Sequence, residues 1–283
     1  MYDQASELRE LVRKGALPAS APKLHRPKLL VVSGGRAGVG TTTIAVNLAV
    51  VLAHQRRRTL LADAAPPGGG AVLSRVEEGD ALADAVPGRR TVGDALQSGP
   101  EGLIKVLPAA WALGKDSEAP GAARSRLVGE LRGLGSEVEF VVVDAGNGVG
   151  PLVRPLWGAA DMVLLVTTPE PASVMDAYAS IKLLASDRGA VPTASLPIHT
   201  LVNKSPHRSV ARQVHTRLSQ ACLRFLGIEV EGVGFVADDP RVPAADRAGK
   251  PVVICTPRCR SARGIRALGK TVLQRTRQSA VTT

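Results

Sequence analysis

The sequence predicts an α/β fold of three layers, a mostly parallel central sheet with helices on both faces. Three observations carry that expectation. Apolar runs of strand length alternate along the chain with segments of helical periodicity, the order that builds parallel sheets with helical crossovers. A glycine-rich turn joins the first such run to the first such helix. The chain has 283 residues, 45% apolar and 22% charged, a globular composition that can bury a sizeable core. That length suits one large α/β domain or two small ones.

Taken in order, residues 3–13 (DQASELRELVR) read as a short helix. Leu8, Leu11 and Val12 share one face, and Asp3 stands where an N-cap or first-turn acid belongs. Residues 14–27 (KGALPASAPKLHRP) contain a glycine, three prolines and small residues, the composition of a partly extended linker. The core begins at Lys28. Residues 28–33 (KLLVVS), 58–63 (RTLLAD), 139–144 (EFVVVD), 161–167 (DMVLLVT), 198–202 (IHTLV) and 230–236 (VEGVGFV) read as strands. Helices are expected after the glycine-rich turn, where Ile44, Leu48, Val51 and Leu52 keep helical spacing, at about 171–186, and near 207–226. Between 64 and 137, Gly/Pro breaks alternate with helix-like pieces whose boundaries the pattern does not set.

No stretch approaches the roughly 18–20 uncharged apolar residues of a membrane span. The first ten residues, MYDQASELRE, carry charges where a signal peptide would be apolar. A cytoplasmic protein is therefore expected. The three cysteines, Cys222, Cys255 and Cys259, form a CxxxC with no matching His pair, which argues against a disulfide framework or a zinc site.

The turn at 35–42 nearly follows the phosphate-loop pattern G-x-x-x-x-G-K-[ST]. Gly35, Gly40 and the hydroxyl residue Thr42 fit, but Thr41 stands in place of the lysine. The cradle itself is mostly backbone N–H and a helix N-terminus aimed at an anion, and those do not depend on the lysine. Asp63 and Asp144 close two strands, where a Mg²⁺-organising acid belongs.

The segment GGRAGVGTTTIAVNLA resembles the deviant Walker A loop of the MinD/ParA ATPases. VVVDAGNGVG resembles their Walker B strand, D-T-G-A-G or D-[ST]-P-A-G, and LLADAA their D-x-D switch segment. Residues 163–182, LVNK at 201–204 and FLGIEVEGVGFVADDPRV at 225–242 are closer still to one branch, FlhG (also called YlxH or FleN), regulators of flagellar number. Asp3-Gln4-Ala5-Ser6-Glu7-Leu8-Arg9 is similar to the DQAxxLR motif heading that branch's activator helix. That helix docks on, and stimulates, the signal-recognition-type GTPase FlhF. The resemblance covers nearly the whole chain and is weakest over 64–137.

The resemblance implies an activator helix at 1–13, a linker at 14–27, a MinD-like nucleotide-binding domain at 28–258 and a basic amphipathic helix at 259–283. It implies ATP and Mg²⁺ as ligands. Gly35, Arg36, Ala37, Gly38, Val39, Gly40, Thr41, Thr42 and Thr43 would surround the phosphates, with Gly38, Val39 and Gly40 donating N–H groups. Thr42 would ligate Mg²⁺, with Asp63 and Asp144 acting mostly through water. Asn203 would contact adenine, and the loop Ala237–Val242, with Pro240, would border the base. Arg36, at the position of the signature lysine, would reach across an ATP-sandwich homodimer and, with Asp63, serve catalysis. Asp3, Gln4, Ala5, Leu8 and Arg9 would contact the GTPase, and Asp176 with its helix would lie on a partner surface.

Four departures from the pattern matter. Thr41 removes a charged phosphate contact, worth about 1.5–3 kcal/mol, or roughly ten- to hundredfold in affinity. Arg36 keeps the signature lysine's charge but has a planar fork and a different reach. Ala65 replaces the second Asp of D-x-D, a change expected to remove about 10²–10⁴-fold of rate. Ala37 replaces a loop glycine, at about 1–2 kcal/mol if that position is left-handed. All four point to compromised hydrolysis, and so to a second reading, a binding module without turnover.

The balance of 36 basic and 25 acidic residues, +11, fits an anionic partner. From Arg258 to Thr283 there are seven Arg/Lys and no acid. Ile265, Leu268, Val272 and Leu273 fall on one helical face, so the segment reads as a membrane-surface helix or as an apolar stripe docked on the domain. The charge also suggests a third reading, a ParA-like DNA-partitioning ATPase. DQASELR and TTPEP…DAY belong instead to the flagellar branch, and seven aromatic residues make a poor stacking platform.

Overall fold

A computed structural model describes residues 26–65, 92–108, 120–150, 153–186 and 197–278. The expected activator helix and nearly all of the linker lie outside them. Eight strands form one sheet in the order β3-β4-β2-β5-β1-β6-β7-β8. The first five in sequence are β1 (Lys28–Gly34), β2 (Thr59–Asp63), β3 (Gln97–Ser98), β4 (Lys105–Leu107) and β5 (Phe140–Asn147). β6 (Met162–Thr167), β7 (Ile198–Ser205) and β8 (Glu231–Ala237) complete it. All neighbouring pairs are parallel except β3 with β4.

The run KLLVVSG makes the central strand because it is apolar on both sides. Leu30 and Val32 enter one core cluster, and Leu29 and Val31 the other. On the first face lie α1 (Thr41–His54), and later α7 (Arg241–Arg247), α8 (Val252–Cys255) and α9 (Arg260–Gln278). On the second lie the short α2 (Val92–Ala95), α3 (Pro120–Gly133), α4 (Val153–Ala159), α5 (Pro171–Ser186) and α6 (Arg208–Leu226). The buried Asn47 side chain joins two elements of the first face: its Nδ2 donates to the Thr43 carbonyl at 2.8 Å and its Oδ1 accepts from Val253 N at 3.0 Å.

Each expected strand is present. β5 and β7 run on past their predicted ends to Asn147 and Ser205. Within 64–137 the structure supplies β3, β4 and α3, which no periodicity marked.

The C-terminal segment is part of the core. Ile265, Leu268 and Val272 are 1%, 2% and 1% exposed, and Leu273 packs against the same cluster. The Ser261 hydroxyl ties α9 to β8 by donating to the Ala237 carbonyl at 2.7 Å. The expectation of a lipid-facing stripe on this helix is thereby corrected: its apolar face is spent on the sheet, and Arg263, Lys270 and Arg277 point to solvent. Among the described residues no helix is long and apolar enough to cross a membrane.

Candidate nucleotide-binding site

β1 lies between β5 and β6, whereas the next strand in sequence, β2, lies on the far side of β5. Such a switch point leaves a crevice beyond the carboxyl ends of the strands. A cleft of about 420 Å³ opens there. Its floor is Gly38, Gly40, Thr41, Thr42 and Thr43, and its walls include Asn147, Asn203, Lys204, Asp238, Asp239 and Asp246. α1 starts at Thr41, after Gly40 at φ 91°, a left-handed turn that a side chain would strain. No side chain caps this end, so the first-turn N–H groups are left for an anion.

Asp144, on β5, is fully buried. Its Oδ1 accepts from Gly146 N at 3.1 Å, and its Oδ2 is buried with no partner. Burial pushes its pKa up, against the opposing pull of the Thr42 hydroxyl and the Gly146 amide. Asp63 lies opposite Asp144 in the β2–β5 register, and its Oδ1 accepts from Ala65 N at 3.1 Å. An unsatisfied buried carboxylate oxygen beside a threonine hydroxyl fits a hydrated divalent cation, so Thr42, Asp144 and Asp63 suit Mg²⁺.

A family model, the CobQ/CobB/MinD/ParA nucleotide binding domain, matches residues 30–252. The chain belongs to this family. The antiactivator FleN of Pseudomonas aeruginosa is 31% identical over 250 residues, 88% of this chain and 87% of FleN. The flagellum site-determining protein YlxH of Helicobacter pylori is 27% identical, over 66% of this chain and 64% of its own. These likenesses support a place on the FlhG branch. MinD of Pyrococcus horikoshii, solved with Mg-ADP, superposes with a TM-score of 0.66 at 20% identity, over 87% of this chain and 96% of that one. At that identity the likeness concerns the fold.

Against the MinD/ParA pattern, several side chains take unexpected partners. Thr41, at the lysine position, spends its hydroxyl on Asn147, donating to Oδ1 at 3.1 Å. Asn147 itself stands at the alanine of the family's D-T-G-A-G, so two departures from the pattern touch each other. Arg36 is held in cis, its Nε 3.7 Å from Asp176 Oδ2 on α5, and it does not line the cleft. Gly35 permits that approach, because a Cβ there would meet the α5 backbone at 2.5 Å. Ala37 does not have positive φ; among the described non-glycine residues only Arg56, Glu101 and Lys204 do. The strain expected at Ala37 is therefore absent.

Asn203 lines the cleft, but its Nδ2 donates to the Val39 carbonyl at 2.8 Å, bracing the loop from β7. That bond uses one of the two Nδ2 donors and leaves the other, with Oδ1, unassigned to the loop. Pro240 is exposed at the N-cap of α7, and Ala237, Asp238, Asp239 and Val242 of the same loop line the cleft. Several cleft residues escaped the sequence reading, among them Asn147, Lys204, Pro243, Asp246 and Arg247. Asn147 was signalled by its departure from D-T-G-A-G. Lys204 stood within the quoted LVNK. Asp246, whose Oδ2 accepts from the Thr43 hydroxyl at 3.0 Å, carries no local signal.

Asp239 fixes the loop Ala237–Val242. Its two oxygens accept from Arg241 N at 3.1 Å and Arg260 N at 3.0 Å, the starts of α7 and α9. Burial alone would raise its pKa, but the amides of Arg241, Arg260 and Ser261 and the Arg241 charge hold it below the usual carboxylate range. A lowered native pKa gives stability that is complete above the unfolded carboxylate range and is lost as pH falls through the native value. Asp239→Asn should destabilise the protein at pH 7 by about 1–2 kcal/mol, a capping loss, and flatten the acid limb. Urea unfolding of both proteins from neutral to acid pH checks this; parallel profiles would refute it.

Proposed function

We propose that this chain is a MinD-like, nucleotide-linked regulator of flagellar number and placement that takes ATP and Mg²⁺ in the cleft and acts through residues 1–13 on an FlhF-like GTPase. The carrying observation is the 31% identity to FleN across 88% of the chain, with the N-terminal DQASELR at the end where the branch keeps its activator motif. The cleft supports the nucleotide part. Its cradle amides, Thr42 and the buried Asp144 are in place, while Thr41 and Ala65 replace groups that turnover uses. The chain thus serves as a switch set by nucleotide occupancy, with hydrolysis slow or absent. When bound, Mg²⁺ would neutralise phosphate charge; Thr42 and the two carboxylates would orient it. An ATP-sandwich homodimer requires Arg36 to leave Asp176, and pairing half-exposed in water opposes that only weakly.

The test uses the full chain, a version lacking residues 1–13 and a purified FlhF-like GTPase. The full chain should stimulate GTP hydrolysis and the shortened one should not, while both bind Mg-ATP equally. Equal stimulation by the two would sink the activator assignment. Absence of Mg-ATP binding by either would sink the nucleotide assignment.

A further inference from the structure

We propose that Lys204 is the cation of the phosphate site, supplying from β7 the charge that Thr41 removes from the loop; the inference rests on the nucleotide reading of the cleft. Lys204 has a left-handed backbone, φ 51°, inside a strand. A non-glycine residue keeps that conformation only where its surroundings hold it, and such residues cluster at functional sites. Here both neighbours are tied down. The Asn203 amide donates to the Val39 carbonyl at 2.8 Å, and the Ser205 hydroxyl donates to the His207 carbonyl at 3.0 Å.

The consequence is directional. Lys204 Nζ donates to the Gly38 carbonyl at 2.7 Å. Consecutive residues of β7 therefore grip consecutive carbonyls of the loop, 203 on 39 and 204 on 38. A Cβ at Gly38 would meet nothing within 4 Å, and Gly38 and Lys204 both line the cleft, so this part of the loop is open to a ligand. An ammonium carries three N–H donors; one is used by Gly38, and two remain for phosphate oxygens. Lysine also acts as a compact point charge and needs no fixed fork geometry. Thr41 does not compete, being turned to Asn147. Two other cations lie nearby: Arg36 is paired with Asp176 away from the cleft, and Arg247 lines the cleft from the last turn of α7, whereas Lys204 is the cation bonded to the loop itself.

Acids line the same cleft. Burial raises the pKa of Asp246 on α7, and its bond from the Thr43 hydroxyl and the Lys204 charge oppose that. Asp239 is taken by the amides of Arg241 and Arg260, and Asp238 is exposed at the rim. A polyphosphate would shift the ammonium from this carboxylate environment to its own oxygens.

The test is calorimetric titration of the full chain with Mg-ATP, Mg-ADP and adenosine. Lys204→Met keeps the length and removes the charge. It should weaken ATP and ADP by about tenfold or more, the scale of one lost charged hydrogen bond, and leave adenosine unchanged. Thr41→Lys with Asn147→Ala, added to Lys204→Met, should restore ATP binding. A thermal melt of each variant confirms that it is folded. Equal losses for adenosine and ATP, or no loss for ATP, would overturn the assignment. A wild-type chain that binds none of the three would overturn the nucleotide reading and this inference with it.

Discussion

Thr41→Lys, Ala65→Asp and Asn147→Ala together should raise ATP turnover about 10²–10⁴-fold over the wild-type chain. The third substitution removes the side chain that holds the Thr41 hydroxyl. Thr41 is 5% exposed, and its hydroxyl is the donor to Asn147 Oδ1. A lysine there must leave that position to reach a phosphate, and the exposed Asn147 would exchange its Thr41 partner for water at little cost. Alanine at 147, as in the family pattern, removes the side chain that Thr41 now contacts. Position 65 needs less preparation. The Ala65 amide is already bonded to Asp63 Oδ1, so a carboxylate at 65 would grow from a backbone held beside the Mg²⁺-organising acids. Thr41→Lys, Asn147→Ala should act mainly on nucleotide affinity, and Ala65→Asp mainly on kcat. Phosphate release at saturating Mg-ATP checks both. A triple variant that binds Mg-ATP but turns over no faster than wild type would move the defect elsewhere, first to Arg36 and its pairing with Asp176.

The sheet and the cradle were legible in the sequence because each is written locally. KLLVVS, EFVVVD and DMVLLVT are apolar on consecutive residues, which only a strand covered on both faces can use. The loop from Gly35 to Thr42 carries its glycines at fixed spacing. β3 and β4 were not legible: two and three residues long, they show no period, and tertiary pairing alone makes them strands. Side-chain partners across long separations were equally hidden. The contacts Thr41–Asn147, Arg36–Asp176 and Thr43–Asp246 join residues that motif reading scores one at a time. Asn203 lines the cleft, and its amide braces the loop through the Val39 carbonyl, a contact no motif shows. The stripe on α9 shows a different limit. Its spacing was read correctly, but the same spacing serves lipid or core, and only the sheet opposite decides.

That decision has a large consequence for the protein without residues 260–278, which should fail to fold rather than survive as a domain lacking a tether. Ile265, Leu268 and Val272 are each nearly fully buried, and burying such side chains is worth about 1.5–3 kcal/mol apiece. The three together supply roughly 5–9 kcal/mol, comparable to the whole stability of about 5–15 kcal/mol of a typical domain. Truncation would also expose their partners on α1 and β8, and would remove the Ser261 hydroxyl from the Ala237 carbonyl and two of Asp239's three amide partners. A gentler version separates packing from expression failure. Leu268→Ala should cost about 2–5 kcal/mol by leaving a cavity, whereas Lys270→Ala, on the exposed face, should stay within about 0.5 kcal/mol. Chemical denaturation of both variants, beside binding to anionic vesicles, distinguishes the two uses of the stripe. Unchanged stability of Leu268→Ala with lost vesicle binding would mean that the stripe faces lipid and that the packing described here is wrong. Reduced stability with unchanged vesicle binding places the helix in the core and leaves any membrane attraction to the arginines and lysines on its outer face.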